Sequence, residues 1–223
     1  MKLANADWTN TLSWDALHPG SLVLEHPNLF LQVVSDLTEQ MDGEEGKLIF
    51  STGLDQISLA KDALLIRDLW SVDVNQKKLL NGVLAKLKSL AREEYEVEIQ
   101  HILSKLNQLM EGILQTSMLP LVWDDTPDVQ TIFKVMGLQL ENVEDPVERL
   151  VDYVRLAQEF LHTKLVVLVG ARGFLTYDCA SALCEDFRSA ELPVLFVDGT
   201  VYPLLPGEKR LLIDSDYCEL LLP

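Results

Sequence analysis

The heptapeptide Lys164-Leu-Val-Val-Leu-Val-Gly170 sets one lysine before six residues that are all apolar or glycine, three of them β-branched valines. A run so short and so uniformly apolar reads as a strand buried on both faces, as at the centre of a parallel sheet. After it come a loop at 171–175, a helical segment from Thr176 to near Ala190, and a second apolar run, Pro193-Val-Leu-Phe-Val197. Strand, helix and strand in that order form a parallel crossover, which needs further strands to complete its sheet. An α/β fold is therefore expected.

The chain has 223 residues, 48% of them hydrophobic, enough to bury the core of one large domain or one and a half. Met1-Lys-Leu-Ala-Asn-Ala-Asp7 lacks a basic start followed by an apolar run, and no segment reaches bilayer length, so a cytoplasmic location without a membrane partner is expected. Cys179, Cys184 and Cys218 make no CxxC pair and read as small hydrophobes in a reduced compartment. Thirty-five acids against 18 bases give a formal charge of -17. That balance opposes a nucleic-acid partner unless the bases gather on one face, leaving clustered carboxylates free for divalent cations.

Strands are expected at Met1 to Ala4, Ser21 to Glu25, Lys47 to Phe50 and Ala63 to Ile66. Pro27 opens a helix that stops before Asp42-Gly43. From Asp73 the apolar period becomes helical. Leu79, Leu80, Val83, Leu84, Leu87 and Leu90 mark one long amphipathic helix, and after a charged break at Arg92 to Glu96 the run Ile99 to Ile113 marks a second. A third helix opens at Thr126-Pro127 and closes at Gly137. A fourth opens at Asp145-Pro146, with Asp145 as N-cap and Glu148 in the reciprocal position, and runs to His162. The expected domains are an α/β head from 1–72 and 163–223, interrupted by a helical domain at 73–162.

Catalytic motifs are missing from the sequence. There is no GxxxxGK[ST] or GxGxxG, and the strand-to-helix turn Glu25-His26-Pro27 has no glycine to let amides wrap a phosphate. Gly170-Ala-Arg-Gly173 is explained by a tight turn after a strand. His18, His26, His101 and His162 share no metal spacing, and no serine lies in GxSxG. A non-enzymatic protein is expected.

Two constellations remain. Asp124, Asp125 and Asp128 supply hard oxygen ligands that suit part of a Ca2+ shell, although the spacing is not that of an EF-hand; Asp128 on a first helical turn also suits the helix dipole. Lys77, Lys88 and Arg92, at about 100° per residue, fall on one strip roughly 60° wide. The strip suits contact with a phosphate backbone, particularly if symmetry repeats it around an axis, and suits equally a solvated helix face.

Ser71-Val-Asp-Val-Asn-Gln-Lys-Lys-Leu-Leu80, Phe133-Lys134 with Gly137, Lys164 to Thr176, Leu192 to Val197 and Leu211-Leu-Ile-Asp-Ser-Asp-Tyr217 resemble, in order and spacing, the adaptation (spacer acquisition) accessory proteins of type II-A CRISPR systems. The resemblance implies a degenerate phosphate-loop-ATPase-like head with an inserted helical domain. It also implies a homotetrameric ring that binds ends of linear double-stranded DNA through a basic central hole, held by bound calcium. The partners it implies are the CRISPR integrase complex and the type II effector nuclease. An acidic exterior then coexists with a small basic lumen. The segment from Thr9 to Ala16 departs from the family pattern, and the chain is poorer in lysine than its relatives. Two other functions stay open: a protein-interaction scaffold that never touches DNA, and a divalent-metal nucleotide hydrolase with a degenerate phosphate loop.

Overall fold

A computed structural model describes residues 1–117, 119–124 and 126–223. They divide into two compact units, one made of Met1–Val74 with Asn142–Pro223 and the other of Asn75–Glu141. The first unit is mixed α/β with two sheets. β1 (Lys2–Asn5), β2 (Leu12–Ser13), β4 (Leu48–Thr52) and β5 (Asp55–Gln56) form a small antiparallel sheet in the order β2-β1-β4-β5. The larger sheet uses β3 (Gly20–Leu24), β6 (Ala63–Ile66), β7 (Leu165–Val169), β8 (Val194–Asp198), β9 (Lys209–Ile213) and β10 (Glu219–Leu222). Its order is β10-β9-β3-β8-β7-β6, all parallel except the β10 edge.

The valine-rich run is β7, flanked by β6 and β8 with its first four residues buried. Every residue of β3 and β8 is buried as well. Strands this apolar hold their place only when both faces are covered. The covering helices in this unit are α1 (Pro27–Met41), the short α2 (Leu59–Asp62), α6 (Pro146–Leu161) and α7 (Tyr177–Ser189). β9 and β10 were not expected from sequence. The signal was present in the apolar Leu211-Leu-Ile213, but β9 carries Lys209 and Arg210 at its start, which blurs it.

The helix ends follow local chemistry. Asp145 caps α6 by accepting from the backbone N–H of Val147 and Glu148 at 2.8 and 2.9 Å, and His162 ends it in the left-handed conformation at φ 57°. Thr176 caps α7 through the Cys179 N–H. One boundary differs from the sequence reading. Helix α6 lies in the α/β unit rather than in the helical insertion, because Leu150, Val151, Tyr153, Val154 and Ala157 are buried there. Gln158 reaches the Ala190 carbonyl at 2.8 Å and Arg155 pairs with Asp186, tying α6 to the end of α7. Its five-residue apolar face is broader than a two-helix seam needs and fits packing onto a layered core.

The chain passes from β3 to the far edge at β6, returns through β7 and β8 beside β3, then crosses to β9 on the other side of β3. Such a switch point is where open α/β sheets place ligands, beyond the carboxyl ends of the strands. In this chain a charged cluster runs from the turn after β7, at that end, to Glu208, which precedes β9 at the amino end of the sheet. Gly170, at φ 68°, turns the chain after β7 into a 3-10 turn at Ala171–Gly173. The Arg172 side chain points inward to Glu208 at 3.2 Å and donates to the Pro203 carbonyl at 2.7 Å. Glu208 also receives Arg210 at 2.6 Å and the Leu205 N–H at 2.8 Å. The three side chains of Arg172, Glu208 and Arg210 are almost wholly buried, and Arg172 lies 5.5 Å from the centroids of Phe196 and Tyr202. Asp198, at the end of β8, is buried beside them.

Two measurements test this packing. A Cβ on Gly20 would lie 2.8 Å from the buried Trp14 ring, so Gly20→Ala is expected to lower stability by about 1–3 kcal/mol in urea unfolding. An unchanged midpoint would mean the indole moves freely. Burial pushes the Asp198 carboxyl up to about 7 despite the neighbouring Arg172. Between the ordinary carboxylate range and pH 7 the folded chain therefore holds a proton that the unfolded chain has lost, and stability falls as pH rises through that window. Asp198→Asn should flatten the decline between pH 5 and pH 7 by roughly 2 kcal/mol. Parallel stability curves for parent and variant would show that Asp198 folds ionised.

Candidate nucleic-acid interface

The second unit is helical, built from α3 (Lys77–Glu94), α4 (Glu96–Ser117) and α5 (Val129–Val135). α3 and α4 are separated only by Tyr95, a sharper break than the charged pentapeptide suggested. Leu79, Leu84 and Ala91 of α3, Leu103 of α4 and Val129 of α5 are buried. α3 carries Lys77, Lys78, Lys86, Lys88 and Arg92 against two acids, Glu93 and Glu94, at its end. It is a locally basic helix in a strongly acidic chain. α4 is the reverse, opening with Glu96 and Glu98 where the helix dipole favours negative charge.

Lys77 stands exposed at the first position of α3, and Lys88 lies 11 residues on, about 16 Å further along the axis. Lys88 and Arg92 are one turn apart and reach the same carboxylate. Lys88 Nζ donates to Asp128 Oδ2, and Arg92 Nη2 lies 3.8 Å from that oxygen. Asp128 Oδ1 accepts the Gln130 N–H at 2.9 Å as the N-cap of α5, so this residue precedes the helix rather than sitting on its first turn. The Lys88 ammonium is the main influence holding the Asp128 carboxyl below its ordinary range, followed by the Gln130 N–H. α5 is also shorter than the expected span from Thr126 to Gly137, because Asp128 supplies its cap.

The structure thus joins one expected metal ligand to two expected DNA contacts, a link between residues 40 positions apart that no local motif signals. Asp124 accepts the Thr126 N–H at 3.1 Å, while Trp123 Nε1 donates to Asn107 Oδ1 at 3.3 Å. Asp125 lies outside the described residues. Among the described residues, no three His, Cys, Asp or Glu side chains come together as a metal-binding group. Both Asp128 oxygens already serve donors and two cationic groups face it, so Asp128 as placed does not fit a calcium shell. A cleft of about 610 Å³ opens beside it, lined by Arg92, Asn107, Asp128 and the acids Glu96 and Glu111 together with apolar Ile99 and Val129.

α4 differs from the expected pattern in what it leaves outside. Leu103 is buried, but Ile102, Leu106, Leu109 and Ile113, spaced by four, three and four residues, are 45–60% exposed. In the α/β unit, the helix start after β3 is poorly equipped for a phosphate. Pro27 lacks an N–H, the Asn28 N–H is taken by His26 Nδ1 at 3.2 Å, and the Tyr217 ring lies 4.8 Å from the His26 ring. Burial drives the Cys184 thiol up to about 12, far from a nucleophilic thiolate.

The family model described as "CRISPR-associated protein (Cas_Csn2)" matches residues 40–217, spanning both units. This chain belongs to the Cas_Csn2 family. It is similar to the "CRISPR-associated protein Csn2" of Enterococcus faecalis, at 25% identity over 171 residues covering 74% of this chain and 76% of that protein. The type II-A resemblance drawn from sequence is thereby shown, and the Cas_Csn2 family is an accessory one involved in CRISPR adaptation. Among the described residues, no helix of this Cas_Csn2 chain is long and apolar enough to cross a membrane.

Proposed function

We propose that this chain binds the ends of linear double-stranded DNA without enzymatic activity, as a homotetrameric ring that encloses the duplex during spacer acquisition. The observation that carries this reading is the gathering of five bases on α3 in a chain of charge -17. Binding of this kind is electrostatic, indifferent to sequence and steeply weakened by salt, since Lys and Arg displace counterions from phosphates. Lys77, Lys88 and Arg92 are the proposed contacts. The α/β unit is read as a degenerate phosphate-loop-ATPase-like head: the strand order around β3 suits that ancestry, while Pro27 and His26 remove the amides a nucleotide phosphate would need. The integrase complex and the effector nuclease are the proposed protein partners, in the cytoplasm.

Calcium belongs to the same proposal with Asp124 and Asp125 as its protein ligands, Asp128 being committed to Lys88 and α5. A second reading, a scaffold that binds proteins and not DNA, is favoured by the exposed stripe Ile102, Leu106, Leu109 and Ile113.

The deciding experiment is a mobility-shift assay on linear duplex and a closed circle of the same sequence, with calcium and with chelator. Retention of the linear form alone, lost with chelator, is the expected result. No shift of either form under either condition would leave the scaffold reading in front. Replacing Lys77, Lys88 and Arg92 together by Glu is expected to weaken linear-duplex binding about tenfold or more at moderate salt. Unchanged affinity would remove this strip as the contact surface. Asp124→Asn with Asp125→Asn should reduce the calcium-dependent rise in Tm, and an equal rise in variant and parent would move the metal elsewhere.

A further inference from the structure

We propose that Asp128 is a built-in anion that occupies the phosphate-binding position of Lys88 and Arg92, so that a nucleic-acid phosphate gains these two bases only by displacing it. The inference rests on the DNA-contact reading of α3 and adds how that contact is regulated. Its basis is geometric. Lys88 and Arg92 project from successive turns of one helix toward a single oxygen, Asp128 Oδ2. A carboxylate oxygen and a phosphate oxygen make the same kind of charge-assisted bond to ammonium and guanidinium groups, so one can replace the other.

The exchange is open to a macromolecule because the cluster lies at the surface. Side-chain exposure is 28% for Lys88, 61% for Arg92 and 36% for Asp128. Pairs this exposed are weak enough to be broken by a polyanion. The carboxylate is held in place independently of its cationic partners, since its other oxygen caps α5 through Gln130. It therefore keeps neutralising α3 when no phosphate is present. An acidic chain gains from this arrangement: Lys88 and Arg92 are masked against weak anions and become available to a dense row of phosphates.

Asn and Ser are as good N-caps as Asp, so Asp128→Asn and Asp128→Ser remove the charge while preserving the start of α5. The experiment titrates a short linear duplex against the full chain at several salt concentrations, for the parent, both Asp128 variants, Lys88→Gln/Arg92→Gln, and that pair combined with Asp128→Asn. Circular dichroism melts accompany each protein to confirm folding. Expected are binding about two to five times tighter in both Asp128 variants, and a log–log salt dependence steeper by up to about two phosphate contacts. Both gains should vanish when Lys88→Gln/Arg92→Gln is added. Equal or weaker binding by the Asp128 variants, with Lys88→Gln/Arg92→Gln still harmful, overturns the masking role and leaves the DNA contact standing. Lys88→Gln/Arg92→Gln without effect in either background overturns both.

Discussion

The five parallel strands need apolar cover on both faces, and the arrangement of the first unit follows from that need. β3, β7 and β8 expose almost no side chain to solvent, so their hydrogen-bonded ladders are stable only beneath packed helices. This explains why α6 joins the unit although it arrives after a long helical insertion: its broad apolar face is needed there. It also explains why the charged residues that enter this core come as a closed set. Glu208 accepts from two arginines and a backbone amide, and removing one member of such a set leaves a buried charge uncompensated. The set ties the segment 199–208 to the turn after β7, linking Arg172, beyond the carboxyl end of β7, to Glu208, before the amino end of β9.

The inserted helices carry a surface chemistry of their own. α3 and α4 are built from similar leucine repeats, yet their outer faces differ. α3 presents bases, and α4 presents Ile102, Leu106, Leu109 and Ile113. Few buried positions anchor these helices, Leu79, Leu84 and Ala91 in α3 and Leu103 in α4, while the residues between them vary in charge. The insertion thus carries a basic strip and an apolar stripe on a scaffold that costs the core nothing.

What the sequence made legible follows the length over which each signal repeats. β7, β8, α1 and α6 were readable because their apolar runs or caps lie within a few residues of one another; Asp145-Pro146 located a helix start that the structure places at the same residues. β9 was missed because Lys209 and Arg210 interrupt its apolar character, and the burial of Arg210 depends on Glu208 and Arg172, the latter far away in sequence. The same distance problem governs the candidate site. Spacing alone put Lys77, Lys88 and Arg92 on one strip and grouped Asp124, Asp125 and Asp128, but that Asp128 faces Lys88 depends on how α5 packs against α3. Periodicity also marked the α4 stripe as apolar without revealing that it stays exposed.

The charge balance then sets the conditions under which a basic strip on an acidic chain can act. At low ionic strength the field of the whole molecule reaches far, and a charge of -17 repels a polyanion before α3 is met. At physiological salt the Debye length is about 8 Å, so exposed acids more distant than that contribute little. Within that range of Lys88 and Arg92, the acid that counts most is the one bonded to them. Asp128 is held ionised by Lys88, so its masking effect persists at neutral pH, although at this exposure salt weakens it as well. Global repulsion is thus relieved by screening, whereas local neutralisation is weakened by screening and ended by an anion that takes the place of Asp128.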